Sequence, residues 1–73
     1  MDKEMDLSIV ISLYNEENSL KELTAGIHKA LSGSGLSYEI LLIDDGSKDS
    51  SWKIIKELSK EDKCIKGISF RRK

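Results

Sequence analysis

Two adjacent carboxylates follow a short apolar run near the middle of the chain and are the residues best placed to bind a ligand. Four apolar residues at 40–43 precede Asp44 and Asp45, and Gly46 with several small polar residues follows. Such a run is typical of a strand buried on both faces in a parallel sheet. Because buried carboxylates are costly, we expect both where the strand emerges at its carboxyl end. Ligands of open α/β sheets bind at that end, which predicts a binding site there.

A second polar group, Tyr14, Asn15 and Glu16, follows an earlier apolar segment, Leu7–Leu13. The β-branched residues of that segment predict a strand. Adjacent parallel strands lie about 4.8 Å apart, so the groups that follow the two strands can line one crevice. A simpler interpretation makes both groups only turns and helix entries, where Asp, Gly, Ser and acidic residues are common. Both interpretations stay open at this point.

The pattern of the whole chain alternates between strand and helix. A first helix over residues 18–31 is predicted from apolar residues at helical spacing, which are Leu20, Leu23, Ile27, Ala30 and Leu31. Ser19 and Glu22 fit a capping box for it, and Ser47 or Asp49 is expected to cap a second helix. The remaining elements are predicted as strands over 38–43 and 64–70 and a helix over 50–59. This order predicts an α/β fold, a βαβαβ unit with a three-stranded parallel sheet and two helices.

Composition excludes several classes of protein. The 73 residues make one small domain, with 34% charged residues and a net charge of -1, which gives no support for a nucleic-acid partner. The single cysteine, Cys64, excludes an intrachain disulfide and favours a reducing, cytoplasmic compartment. No apolar run approaches the roughly 18 residues of a membrane span, and the acidic start is not typical of a signal peptide.

Four single residues are given no functional role. Trp52 is interpreted as helix core and Cys64 as a small buried residue at a strand start. His28 has no evident partner and is assigned no role. Gly67 lies inside the third predicted strand and weakens that prediction.

The first predicted strand leaves an apolar edge without a partner. Two explanations are open: a second copy pairs with this edge as a homodimer, or the chain is the front portion of a longer protein. We favour the second, because a βαβαβ unit is half of a doubly wound domain.

Two separated motifs carry a resemblance to a known family. The stretches SIVISLYNEE at 8–17 and IDDGSKDSS at 43–51 together resemble the opening of a family 2 glycosyltransferase, an inverting, nucleotide-sugar-dependent enzyme with a GT-A fold. ISFRR at 68–72 is similar to the branch that glycosylates polyprenyl phosphates, including dolichol-phosphate mannosyltransferases. The resemblance implies that residues 1–73 are a single partial domain, the N-terminal, nucleotide-binding half of a Rossmann-like GT-A domain.

The resemblance also implies a nucleotide-binding set, which consists of Ser12, Tyr14, Asn15, Glu16, Asp44 and Asp45. One of the two carboxylates accepts a hydrogen bond from the base, and the resemblance supports Asp44 better than Asp45 in this role. Tyr14 and Asn15 flank the base and ribose, and Glu16 takes a ribose hydroxyl. Ser12 stands where the family usually has proline, and it keeps a backbone donor. In-plane acceptors beside an aromatic side chain suit a nucleotide base.

By the same resemblance the full-length enzyme uses Mg²⁺ or Mn²⁺, a UDP- or GDP-linked sugar and, as acceptor, a polyprenyl phosphate at the cytoplasmic face of the membrane. The metal-binding DxD motif of the family lies beyond the third strand, and Asp44 and Asp45 lack its alternate spacing. We therefore expect no metal ligand and no catalytic residue in this chain, which alone is expected to be inactive. Arg71 and Arg72 are interpreted as solvated rather than as phosphate ligands.

Three functions remain: the nucleotide-recognition part of a glycosyltransferase, a non-catalytic nucleotide-binding module, and a self-associating α/β structural domain. A dinucleotide-binding oxidoreductase is disfavoured, because no G-x-G-x-x-G follows a predicted strand, and no P-loop is present.

Overall fold

A computed structural model describes residues 5–70 and confirms the predicted α/β class and βαβαβ order. Its elements are β1 (Leu7–Leu13), α1 (Leu20–Leu31), β2 (Tyr38–Asp44), α2 (Ser51–Glu61) and β3 (Ile65–Ser69). The bounds of β1 are as predicted, whereas α1 begins two residues later than predicted and α2 continues two residues further. The acidic start at 1–4 and the predicted roles of Arg71 and Arg72 lie outside the described residues.

The sheet is parallel, with β2 between β1 and β3. The register aligns the ends of the strands, so that Leu13, Asp44 and Ser69 lie side by side across the sheet. Asp44 is thus the last residue of the central strand. Any ligand at this end of the sheet has residues of three strands around it.

The core lies between the sheet and the two helices, which contact each other. Each strand and each helix contributes at least one buried apolar side chain to this core. These side chains are Leu13, Leu20, Ile40, Leu42, Ile55 and Ile65. Full burial of one such side chain contributes about 1.5–3 kcal/mol. This packing holds the starts of both helices beside the carboxyl ends of the strands.

The buried face of α1 differs from the predicted apolar stripe. Leu23 and Ala30 are exposed, and Thr24 is buried in their place. The Thr24 hydroxyl donates a hydrogen bond to the carbonyl of Leu20 at 3.2 Å, which satisfies its polar group inside the core. Ser19 occupies the N-cap but its side chain makes no capping hydrogen bond, so the predicted capping box is not formed.

The glycine inside β3 allows α2 to pack closely on the sheet. A β-carbon at Gly67 would overlap Cγ2 of Ile55 and lie 3.2 Å from Cζ3 of Trp52. Trp52 is half-buried and packs against the core, as predicted for it. The glycine that weakened the strand prediction is therefore a packing requirement.

The other face of the sheet is open within residues 5–70. Val10 and Ile68 are exposed on it, and the outer edge of β1 has no strand partner there. The Ser8 hydroxyl donates to Glu39, and together with Lys66 it lowers the pKa of that carboxyl against the effect of burial. Neither described helix is long and apolar enough to cross a membrane.

Candidate functional site

A cavity of about 840 Å³ lies where β2 ends. It is lined by Tyr14, Asp44, Asp45, Gly46, Ser47, Lys48, Trp52 and Ser69. Of the six residues predicted to bind nucleotide, Tyr14, Asp44 and Asp45 are thus brought together around one space. The crevice expected between the ends of the first two strands is present, and β3 and α2 also contribute to it.

Asp44 is held firmly in this cavity. Its Oδ1 accepts a hydrogen bond from the amide of Ser47 at 2.9 Å, and its carbonyl accepts one from the amide of Phe70 at 2.8 Å. The neighbouring Asp45 amide donates to the carbonyl of Leu13 at 3.0 Å. We expected Asp44 to emerge from the sheet, but it is only 2% exposed. Its desolvation is offset in part by the Ser47 amide, since a hydrogen bond to a charged group contributes about 1.5–3 kcal/mol.

Gly46 makes the sharp turn that this arrangement needs. Its φ is +77°, a left-handed conformation that glycine adopts without steric cost. The turn brings the amide of Ser47 back to the carboxylate of Asp44. The predicted tight turn at Gly46 is confirmed.

The other predicted site residues lie apart from this cavity. Ser12 and Glu16 line a second cavity of about 340 Å³, which shares Tyr14 with the first. Asn15 lines neither cavity, and its Oδ1 accepts a hydrogen bond from the amide of Lys48 at 2.8 Å. The nucleotide contacts that the resemblance implies for these three residues stay predictions.

Five residues that line the cavity were not among the predicted site residues: Gly46, Ser47, Lys48, Trp52 and Ser69. Trp52 lies in the first turn of α2, so its ring reaches the cavity while also packing on the core. Ser69 is the register partner of Asp44 in β3, and a correct sheet alignment is enough to find it. Lys48 belongs to the loop after Asp45 and adds a cation to a site with two carboxylates.

The donor set does not fit a resident divalent ion. Among residues 5–70, no three His, Cys, Asp or Glu side chains come together as metal ligands. The carboxylates that line the cavity are adjacent in sequence, and Oδ1 of Asp44 is engaged by the Ser47 amide. We therefore assign no metal to these residues.

Cys64 is half-buried and directly precedes β3, close to the strand-start position predicted for it. Burial raises the pKa of its thiol, as does the nearby Asp62. The thiol is therefore held in its protonated, less nucleophilic form. It lines neither of the cavities described above.

A parallel α/β unit with carboxylates in a cavity at the end of its central strand defines a class of ligand-binding protein whose site lies at the carboxyl edge of the sheet. Residues 8–73 match the family model described as Glycosyl transferase family 2. The chain belongs to this family, as the two motifs indicated.

Curated relatives agree with the predicted branch of the family. The chain is 46% identical over 67 residues, 90% of its length, to an undecaprenyl-phosphate 4-deoxy-4-formamido-L-arabinose transferase of Shewanella sediminis. It is 46% identical over 55 residues, 75% of its length, to a dolichol-phosphate mannosyltransferase of Pyrococcus furiosus. These matches cover 20% and 15% of the relatives, so the chain spans a fifth or less of their length.

Proposed function

We propose that this chain forms the nucleotide-recognition part of a nucleotide-sugar-dependent glycosyltransferase that transfers a hexosyl group to a polyprenyl phosphate. The observation that carries the proposal is the buried carboxylate of Asp44, which lies in one cavity with the aromatic side chains of Tyr14 and Trp52. The names of the relatives, which include polyprenyl-phosphate transferases, support the acceptor class.

The cavity suits a nucleotide base for two physical reasons. A carboxylate accepts hydrogen bonds from the ring N–H and amino groups of a base. Asp44 and Asp45 place two carboxylates in the cavity. An aromatic ring offers the flat apolar surface on which a base stacks, and Tyr14 and Trp52 supply this surface. Lys48 also lines this cavity and supplies a positive charge for the diphosphate.

In the proposed reaction, an anionic oxygen of the polyprenyl phosphate attacks the anomeric carbon of the sugar. The bond from that carbon to the nucleoside diphosphate breaks, and the diphosphate leaves with the bonding electrons. Because the nucleophile is already anionic, a strong general base is less necessary. This chain binds and orients the nucleotide, and the residues that act on the acceptor are not among those assigned here.

The resemblance implies Mg²⁺ or Mn²⁺ in the full-length enzyme, where such an ion would supply positive charge to the leaving diphosphate. Residues 5–70 offer no ligand set for it. We therefore propose that the 73-residue chain alone binds nucleotide without catalysing transfer. We also propose that the full-length enzyme acts at the cytoplasmic face of a membrane.

The test is a titration of the 73-residue chain with UDP and GDP, followed by NMR and by the emission of its single tryptophan, Trp52. We expect shifts at Tyr14, at residues 44–48 and at Trp52, with one of the two nucleotides bound more tightly. Asp44→Asn keeps an acceptor for the Ser47 amide but loses the carboxylate. It is expected to weaken binding about tenfold or more, because a hydrogen bond to a charged group is lost.

Glu57→Gln is the matched control, since it removes a carboxylate from the exposed side of α2. It is expected to leave nucleotide affinity unchanged. A folded wild-type chain that gives no shifts at millimolar UDP or GDP would contradict the proposal. Equal weakening by both variants would indicate a general effect of charge instead of recognition by Asp44.

The exposed apolar residues of the open sheet face favour self-association as a second candidate. Val10 is 59% exposed in β1, the strand whose outer edge has no partner among residues 5–70. Pairing of this edge in two copies would form a homodimer. Light scattering over a range of concentrations tests it, and a constant monomeric mass would exclude it.

A further inference from the structure

The loops after β1 and β2 are joined by reciprocal hydrogen bonds. The clasp is the name used here for these bonds between residues 15–17 and residues 47–51. Three consecutive amides of the first loop donate to side chains of residues 47–51, of which Ser51 begins α2: Asn15 to Ser47 Oγ at 2.8 Å, Glu16 to Ser51 Oγ at 2.8 Å, and Glu17 to Asp49 Oδ2 at 3.3 Å. Each of these three amides is thus bound by the segment that follows β2.

The second loop returns the same kind of bond. The Lys48 amide donates to Oδ1 of Asn15, and the Ser50 amide donates to Oε1 of Glu17, both at 2.8 Å. Asn15 and Glu17 are therefore donors through their backbone and acceptors through their side chains. Among residues 14–19, Asn15 and Glu17 are the side chains that accept hydrogen bonds from the segment after β2.

The backbone of Asn15 is adapted to this arrangement. Its φ is +52°, a left-handed conformation that asparagine tolerates better than most residues other than glycine. Glu17 is half-buried and, like Asn15, lines neither the large cavity nor the one beside it. The side chains of Asn15 and Glu17 thus face the segment after β2 instead of the space where a ligand would lie.

We propose that Glu17 and Asn15 are positioning residues of the nucleotide site, which hold residues 45–48 against Tyr14 so that both loops line one cavity. The inference rests on the proposed nucleotide binding and assigns Asn15 an indirect role, in place of the ligand contact that the resemblance implies. Glu17 is a new site-related residue, since it was not in the predicted nucleotide-binding set.

A preformed cavity binds more tightly than one that must be ordered on binding. Without the Glu17 carboxylate, the Ser50 amide loses its partner and residues 45–48 sample more conformations before the nucleotide arrives. Neither Glu17 nor Asn15 belongs to the hydrophobic core, whose packing maintains the fold. The expected result is weaker nucleotide binding by a chain that remains folded.

The test measures two quantities on the 73-residue chain: the exchange rate of the Ser50 and Lys48 amides without nucleotide, and the affinity for UDP and GDP. Glu17→Ala is expected to speed exchange at Ser50 and to weaken affinity about three- to tenfold, because a hydrogen bond that orders the site is lost. Glu17→Gln keeps an acceptor oxygen and is expected to restore both. Glu57→Ala, on exposed α2 surface, is the control.

Two variants of Asn15 test the same proposal if Glu17→Ala does not fold. Asn15→Gly keeps the left-handed backbone but removes the acceptor for Lys48, and Asn15→Asp keeps both. We expect the glycine variant to show faster exchange at Lys48 and weaker affinity, and the aspartate variant to resemble wild type.

The outcomes separate this inference from the proposed function. If wild type binds nucleotide and Glu17→Ala binds equally well, the positioning role is overturned while nucleotide binding stands. Unchanged exchange at Ser50 in Glu17→Ala would overturn the clasp itself. If folded wild type binds neither UDP nor GDP, both proposals fail together.

Discussion

The hydroxyl of Tyr38 lies 2.5 Å from Nδ1 of His28, at the end of the sheet opposite the cavity. On the other side of the imidazole, Nε2 lies 2.5 Å from Oδ2 of Asp62, the C-cap residue of α2. His28 in α1 therefore connects the start of β2 to the end of α2. Burial raises the pKa of Tyr38, with smaller contributions from Cys64 and Asp62, so its hydroxyl stays protonated.

Tyr38→Phe is expected to lower the free energy of unfolding by about 0.5–1.5 kcal/mol, because the hydrogen bond to His28 is lost while the ring remains. Urea unfolding followed by Trp52 emission measures the change. Tyr14→Phe is the matched control, since the Tyr14 side chain is exposed. The same loss of stability in both variants would show that the His28 contact contributes nothing specific.

Two glycine substitutions are expected to act in opposite directions. Gly67→Ala places a methyl group against Ile55 and Trp52, and overpacking of this kind typically destabilises by about 1–3 kcal/mol. Gly26→Ala adds a methyl group with no atom within 4 Å, inside α1, where alanine stabilises by about 0.5–1 kcal/mol relative to glycine. Thermal unfolding of both variants checks the signs. A neutral Gly67→Ala would mean that α2 does not depend on close approach to β3.

Acid is expected to weaken the clasp through Asp49. Partial removal from water raises the pKa of this carboxyl, but the hydrogen bonds from Ser51 and from the Glu17 amide outweigh that effect, so its pKa lies below the usual value of 3.8. A depressed pKa in the folded state contributes stability above the unfolded-state pKa. That stability is lost as the pH falls below about 4 and through the lower folded-state value.

The measurement is urea unfolding of wild type and Asp49→Asn between pH 7 and pH 2. Wild type is expected to be the more stable at pH 7, and the difference is expected to shrink below about pH 4, where the wild-type carboxyl takes up its proton. A difference that stays constant over the whole range would assign it to the altered shape of the side chain and not to its charge.

The order of elements was predictable because strand and helix periods are local properties of the sequence. The strand β1 was predictable from the β-branched residues Ile9, Val10 and Ile11 at its centre. The buried face of α1 was predicted less well, because the choice of Thr24 over Leu23 depends on the carbonyl of Leu20 and on the helix orientation. Neither the hydrogen bond to the Leu20 carbonyl nor the helix orientation can be predicted from hydrophobicity alone.

The roles of the two motifs were predictable only in part. The Asp44 position followed from an apolar run that ends in a carboxylate. The clasp did not follow, because its bonds join residues 32 to 35 positions apart in the chain. The sequence predicted Ser47 or Asp49 as the cap of the second helix, but Ser50 is the N-cap of α2. Asp49 and Asn15, which was predicted as a ligand contact, each bond the opposite segment.

By itself the sequence determined the alternation of strands and helices, the family, and the strand end at which the carboxylates lie, since all three reside in short contiguous stretches. Only the tertiary structure decided that Trp52, Lys48 and Ser69 share the cavity of Asp44, that His28 has partners, and that Gly67 is needed for packing. The physical reason is the same in each case: these are contacts between segments distant in the chain, and their geometry exists only once the sheet register and helix packing are formed.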